Sequence, residues 1–339
     1  MKNVLKVTFV IIGSIIGAGF ISGQEIFLFF NRYGYTGLIG LVLAAILTSL
    51  IIYKLFIIIN KKQIKNYSEF LLQINPNKKI NKIIKNSIQI FLIISFYIMI
   101  AGFCAYFKQE FKIPIIFSSA IMAVMCYLTF KNETKGIVTI NTALIPFLSI
   151  FIFWVGAKNL SFTFELLNNN LEFEWSLGWL LGSILYVGHN TVMITPILIE
   201  LKEYINTKQK IRRTSLLCGA VLGLLGIAIY FLLLRGDSYV RHLEMPMIQI
   251  VREFGEGYSW VYGVVIIIAI FTSAIAVGYS FLKNVSSAHK NYNIIMILLC
   301  CLSIPIAHFG FSNLVNILYP IFGALGIMQI LLIFKKNKT

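Results

Sequence analysis

Charge is what this chain has least of. Only 12% of its 339 residues are Asp, Glu, Lys or Arg, and just 13 are acidic. A soluble domain carries about a quarter charged residues. One core cannot hide the remaining apolar surface, so an ordinary water-soluble globule is excluded. Histidine is scarce too, at four residues. His-Glu-x-x-His, Gly-x-Ser-x-Gly and phosphate-binding Gly-Lys-Thr patterns are missing, and no paired carboxylates share a helix face at membrane depth. The reading is therefore not an enzyme, with no resident cofactor. Zinc-finger and helix-turn-helix patterns are also missing, so the net charge of +16 is not read as a nucleic-acid surface. The five cysteines (Cys104, Cys126, Cys218, Cys300, Cys301) lie in apolar runs without metal-ligand spacing and read as packing residues.

What is present is hydrophobic sequence, 58% of the chain. A membrane span needs about 20 mostly apolar residues. Ten such runs are read, near 4–31, 36–60, 86–108, 113–130, 136–157, 176–200, 214–234, 259–283, 291–309 and 312–334. The N-terminus runs straight into the first of them with no small-residue cleavage site, which reads as a retained helix. The fold class is thus an all-α polytopic membrane protein of about ten transmembrane helices. The whole chain, 1–339, reads as one transmembrane domain.

The basic residues orient it. With the N-terminus inside, only Arg32, Lys108, Lys112, Lys158, Arg235, Arg241 and Arg252 of the 29 Lys and Arg fall in outside segments. The positive-inside rule then puts both termini on the cytoplasmic side of a bacterial cell membrane. Two outside loops are long. Residues 158–175 carry Glu165, Glu172 and Glu174, and residues 235–258 have enough apolar positions for short amphipathic helices. The inside loop 60–85 suggests a surface helix around Tyr67, Phe70, Leu71 and Leu72.

The first run contains Gly13, Gly17 and Gly19 within seven residues, where each mid-helix glycine costs about 1 kcal/mol relative to alanine. The sixth contains Gly182 and Gly188-His189-Asn190, followed by Thr195-Pro196. Spans one and six run in opposite directions. The pattern predicts a five-plus-five inverted repeat, about 4–157 and 176–334, with discontinuous helices 1 and 6 meeting at a central site. Unwound backbone in hydrocarbon persists only where a ligand, an ion or water satisfies it. The plainer alternative is that these glycines let helices pack closely.

The run Gly13-Ser-Ile-Ile-Gly-Ala-Gly-Phe-Ile-Ser-Gly-Gln-Glu25, followed by Phe29-Phe30-Asn-Arg-Tyr-Gly34, resembles the start of YkvI-type membrane proteins of Gram-positive bacteria. These belong to the amino acid–polyamine–organocation (APC) superfamily, which has the LeuT fold. The resemblance implies a secondary active transporter of a small organic solute, an amino acid or related compound, working by alternating access and coupled to Na⁺ or H⁺. The runner-up reading is a nutrient-sensing receptor on the same fold, similar to spore-germination receptors, that binds an amino acid without transporting it. The expected partners are the lipid bilayer and the solute, with no nucleic acid.

Site residues follow from the same resemblance. The helix-1 break would offer Gly17, Ala18 and Gly19 to a substrate carboxylate; the helix-6 break would offer Tyr186, Gly188, His189 and Asn190. Tyr97 on helix 3 could add a hydroxyl, or simply pack. A sodium ion would sit between Thr272 and Ser273 of helix 8 and the carbonyls of Ile12 and Ile15, unless those hydroxyls bond back to their own helix. Helix 5 offers Thr139, Asn141, Thr142 and Pro146 but no mid-span lysine, which favours sodium over protons. Glu25 in the outer half of helix 1 is costly in a membrane and so a functional candidate. It could carry a proton, hold a substrate amine, or tether a backbone amide. His189 titrates near neutrality. His308, Glu200 and Glu203 read as structural or interfacial.

Overall fold

The computed structural model describes residues 2–131, 137–159, 177–236, 238–286 and 292–335, with no strand among them. The first apolar run is not one helix. Helix α1 (Lys2–Ile15) ends at an extended Gly17, α2 (Ala18–Ser22) ends at Gly23, and α3 (Gln24–Phe29) follows. A 3₁₀ turn, Asn31–Tyr33, leads into α4 (Gly34–Lys61). Then come α5 (Tyr67–Ile74), α6 (Lys78–Phe111), α7 (Ile115–Lys131) and α8 (Ile137–Lys158). The second half holds α9 (Gly178–Leu201), α10 (Lys208–Arg235), α11 (Ser238–His242) and α12 (Pro246–Arg252). It closes with α13 (Glu256–Ser286), α14 (Tyr292–Ala307) and α15 (Phe311–Lys335). Among the described residues, six helical stretches are long and apolar enough to cross a membrane; α1, α7, α8 and α14 supply shorter apolar helices. Together they match the ten runs read from the sequence.

Many of these helices lack a polar/apolar stripe because one side meets lipid and the other meets protein. Ile46, Ile121, Ile150, Leu224 and Ile317 are exposed, while Ile52, Met122, Leu148, Leu225 and Val315 on the same helices are buried. The tightest pairings are α9 with α15, α10 with α4, and α13 with α6. Small residues make the first two possible, as in membrane helix pairs generally. A Cβ on Gly219 would lie 2.8 Å from the Ala45 carbonyl oxygen across the α10–α4 seam.

The basic loops gather at one end of the bundle. There Lys6 of α1 lies over the Tyr204 ring and Lys54 of α4 over the Phe334 ring. Helix α5 sits at this basic end, as the sequence suggested, but it is packed inward: Phe70 and Leu71 are buried, and only Leu72 of the four is exposed. At the far end, the loop between α10 and α13 folds into the two short helices α11 and α12, which the apolar positions of 235–258 predicted. The acidic loop read at 158–175 lies almost wholly outside the described residues.

One expectation fails. Span six is a continuous helix from Gly178 to Leu201, with Pro196 inside it and no unwound segment. The cause is neighbour packing. A Cβ on Gly188 would lie 2.2 Å from the Gly323 carbonyl oxygen, and one on Gly326 would lie 1.8 Å from the Gly188 carbonyl oxygen. Likewise, Gly182 lets the Phe29 carbonyl approach, since a Cβ there would sit 2.4 Å from its oxygen. The plainer reading of these glycines, close packing, is what the backbone adopts.

Candidate functional site

The first span breaks because its hydrogen bonds run out. The Ile16 amide donates to Ile12 O at 2.8 Å, completing α1, and Gly17 N then reaches back only to Ile15 O, at 2.9 Å. The next helical bond, Ile21 N to Gly17 O at 3.1 Å, opens α2. The Ala18, Gly19 and Phe20 amides head that helix, where helical geometry supplies no partner. Gly17 itself is extended (φ −101°, ψ −169°), a conformation open to any residue, and Gly23 is the position that needs glycine, at φ +87°. The left-handed turn at Gly23 re-aims α3, so that Glu25 points inward. Around that turn the backbone is held from outside: Tyr262 of α13 donates its hydroxyl to Ile21 O at 2.6 Å, and the Gln24 side chain donates to Leu243 O at 2.6 Å.

Inside this frame the polar residues of α3, α9 and α15 converge. Glu25 is 2% exposed, and its Oε1 has no hydrogen-bond partner. Its other oxygen, Oε2, and the Tyr319 hydroxyl lie 3.3 Å and 3.1 Å from the point where a Gly19 Cβ would sit. Glu25 faces the Asn190 side chain and is close enough to Tyr186 and Tyr319 for its charge to bear on both hydroxyls. Asn190 Nδ2 donates to Tyr186 O at 3.0 Å, leaving Asn190 Oδ1 buried and unpartnered. His189 stacks on Tyr319 (centroids 4.3 Å apart, 22° between planes) and meets Phe91 edge-on, with Nδ1 unpartnered. Phe29 and Phe30 close the side against Tyr186, at 5.7 and 5.0 Å. None of the ion pairs among the described residues involves Glu25.

So the structure brings together Gly19, Glu25, Tyr186, His189 and Asn190, with Gly17 and Ala18 at the adjacent break. It does not bring in Tyr97. Met99 faces Gly17, and Tyr97, two residues or about 200° earlier on the helix, points instead toward Cys300 of α14. Gly188 is a packing residue, as described. The sodium constellation is not assembled here. Thr272 Oγ1 bonds back to Ile268 O and Ala269 O at 2.9 and 3.1 Å, Ser273 is half-buried, and the carbonyls of Ile12 and Ile15 already accept amides. Helix α1 packs mainly on α8, α9 and α10, whereas α13 packs on α2, α6, α8 and α12. Pro146 lies inside α8, while the side chains of Thr139, Asn141 and Thr142 lie outside the described residues. His308 Nδ1 pairs with its own helix at Ile304 O, 3.0 Å, and Glu200 and Glu203 are exposed at the basic end.

Sequence reasoning missed Tyr319, Phe91 and the role of Gly23. Tyr319-Pro320, an aromatic beside a mid-span proline, was the visible signal for the first.

Both ends of the site are closed. At the far end Gln109 exchanges two bonds with the Met245 backbone (3.2 and 3.1 Å), Arg252 pairs with Glu110, and Glu244 accepts from Phe311 N at 3.0 Å, capping α15. At the basic end Tyr67 donates to Gln329 Oε1 at 3.1 Å, Gln329 donates to Thr195 Oγ1 at 2.8 Å, and Thr195 donates to Thr191 O at 2.7 Å.

Comparisons agree with this architecture. No family model matches the chain. It is similar to the membrane protein YkvI of Bacillus subtilis (strain 168), 27% identical over 326 residues, which cover 94% of this chain and 91% of YkvI. It is also similar to YyaD of the same organism, 24% identical over 330 residues, 95% and 94% of the two chains. Among solved structures, a manganese transporter of Eremococcus coleocola matches 98% of this chain and 78% of its own, with a TM-score of 0.64 at 14% identity. A Na⁺-coupled sialic acid symporter matches 93% and 72%, with a TM-score of 0.54 at 13% identity. The fold of this chain is the fold of these polytopic transporters.

Proposed function

We propose that this protein is a secondary active transporter of a small organic solute, an amino acid or related compound, driven by Na⁺ or H⁺ through alternating access. The observation that carries the reading is the buried Glu25 carboxylate. It sits without a cationic partner among the described residues where a broken first span crosses α9, inside a fold shared with secondary transporters. A charged group at membrane depth is retained when something that visits the site uses it. Glu25, Asn190, Tyr186 and His189 receive the solute, and at the break beside Gly17, whose own amide is taken by Ile15 O, Ala18 and Gly19 supply backbone amides. Opening one closed end while the other stays shut gives the two access states. The basic end faces the cytoplasm with both termini.

The test is flux. Purified protein in proteoliposomes is given amino acids under an imposed Na⁺ gradient or an imposed pH gradient. Accumulation above equilibrium supports the transporter. Binding without accumulation under either gradient assigns the chain to the sensing class instead. The same assay settles the ion. If Thr272 and Ser273 hold sodium in another state of the cycle, Thr272→Ala with Ser273→Ala removes Na⁺-stimulated uptake. Unchanged Na⁺ dependence excludes that site.

A further inference from the structure

The start of α6 carries a charge arrangement that a helix disfavours. Lys78 and Lys79 stand in its first turn, at the positive end of the helix dipole, with no acidic residue there to offset them. Lys82 and Lys85 follow one and two turns on. All four are exposed, and none forms an ion pair among the described residues. The backbone there already has partners: the Asn77 side chain accepts from Lys79 N at 2.9 Å and from Ile80 N at 3.3 Å. An anion arriving here therefore meets lysine side chains rather than free amides. The turns are also held in place. Asn81 and Ile84 are buried, and Asn81 Nδ2 donates to Asn75 O at 2.9 Å, pinning the start of α6 to the end of α5.

Depth puts this cluster at a bilayer surface. From Lys85 to Lys108 the helix rises about 34 Å, slightly more than a hydrocarbon core of about 30 Å. Lys85 then sits at the headgroups on the basic side, and Lys82, Lys79 and Lys78 follow within about 10 Å along the axis. Among them Ile80 and Ile83 are exposed, at 36% and 60%. At about 100° per residue, Lys79, Lys82, Ile83 and Asn86 share the side opposite the buried Asn81, Ile84 and Ile88. Charges that only set topology could be strewn along a loop, with no isoleucine between them. Lysines and isoleucines on one fixed face match a surface that is anionic outside and apolar just beneath.

We propose that this face docks anionic phospholipid of the leaflet at the basic end of the bundle. Lys78, Lys79, Lys82 and Lys85 receive the headgroup phosphates, while Ile80 and Ile83 lie on the glycerol and upper acyl carbons. The proposal is independent of what the central site carries. Each lysine meets phosphate as a point charge with three rotatable donors, so the face selects negative charge rather than one headgroup shape.

The test uses the delipidated full chain in a neutral detergent. It is titrated with phosphatidylglycerol or phosphatidylcholine of identical acyl chains and read by native mass spectrometry, with melting temperature as a second readout. Each lysine close to an anionic surface contributes roughly fivefold in affinity, so the parent should prefer phosphatidylglycerol by about tenfold or more. Lys78→Gln, Lys79→Gln, Lys82→Gln and Lys85→Gln together should remove that preference. A control variant, Lys61→Gln, Lys65→Gln, Lys208→Gln and Lys335→Gln, sheds the same charge from exposed positions at the same end and should keep it. Ile80→Ser with Ile83→Ser leaves every lysine in place and should weaken phosphatidylglycerol binding severalfold. All these side chains are exposed, so each variant should fold, which circular dichroism establishes. Equal binding of the two lipids by the parent overturns the proposal. So does an equal loss in both lysine variants, which would reduce the cluster to bulk charge. Unchanged lipid affinity in the isoleucine variant overturns it as well. Tighter binding of inorganic phosphate, an acidic peptide or a short RNA than of phosphatidylglycerol would give the face to a different occupant and refute the lipid.

Discussion

Spans one and six both interrupt apolar sequence with glycine near mid-membrane, and the backbone treats them in opposite ways. In span one the helix stops at Ile15, restarts at Ala18 and turns again at Gly23. In span six the helix never stops, and Gly182 and Gly188 serve as flat surfaces for Phe29 and for Gly323 and Gly326. The difference lies in the neighbours. Span six meets α15, whose own small residues bring backbone to within contact of backbone. Beside its break span one meets longer side chains, Met99 and Tyr319, and the polar cluster that contains Glu25. Glycine permits both outcomes; the partner helix selects one.

Four substitutions would break or sharpen this contrast. The largest effect belongs to Gly188→Leu, whose Cβ alone would lie 2.2 Å from the Gly323 oxygen. Backbone atoms cannot step aside as a flexible side chain can, so little folded protein should be recovered. Normal yield and an unchanged melting temperature would mean that α9 and α15 are not pressed together. Next comes Gly19→Leu, which should leave the protein folded while removing solute binding, because its side chain would enter the space of Tyr319 and Glu25. Titration calorimetry on the folded variant decides it, and retained binding would move the site elsewhere. Gly23→Ala should cost at least about 1–2 kcal/mol, the strain of a left-handed backbone for an L-residue, to which is added the shift forced on the Met247 and Leu233 side chains, 2.9 and 3.0 Å from the new Cβ; it is read as a lower melting temperature in detergent. Gly17→Ala should be the mildest, within about 0.5 kcal/mol of the parent. Its φ is negative, and its nearest non-local atom, the Met99 methyl, is at ordinary contact distance of 3.4 Å. A loss as large as that of Gly23→Ala would show that the break itself depends on Gly17.

Much of the fold was legible because composition decides it: apolar runs of membrane length, basic loops on alternate sides, and charge almost nowhere else. The candidate site was half legible. Glu25 announces itself, being a carboxylate within an apolar run, and His189-Asn190 announce themselves as polar residues in another. What could not be read was direction. Tyr97 and Met99 are two residues apart, and only the rotation of α6 decides that Met99 faces the break while Tyr97 faces Cys300. Nor could the sequence reveal which glycines serve their own backbone. Gly17 drew notice for its place in a cluster, yet Gly23, a few residues on, holds the positive φ. Tyr319 was missed because a tyrosine in a last apolar helix looks like any packing aromatic until it is found stacked on His189.

The two closed ends differ in the kind of bond that shuts them. Ion pairs help hold the far end: Arg252 with Glu110, and Arg235 with Glu253 at 2.6 Å, both arginine side chains about one-third exposed. A relay of uncharged groups, Tyr67 to Gln329 to Thr195, holds the other, and Gln329 and Thr195 are buried. Dissolved salt screens partly exposed charges over about 8–10 Å near physiological ionic strength and leaves a buried neutral relay almost untouched. Ionic strength is therefore a one-sided lever on this molecule: raising it loosens the door at the far end and leaves the bolt at the basic end in place.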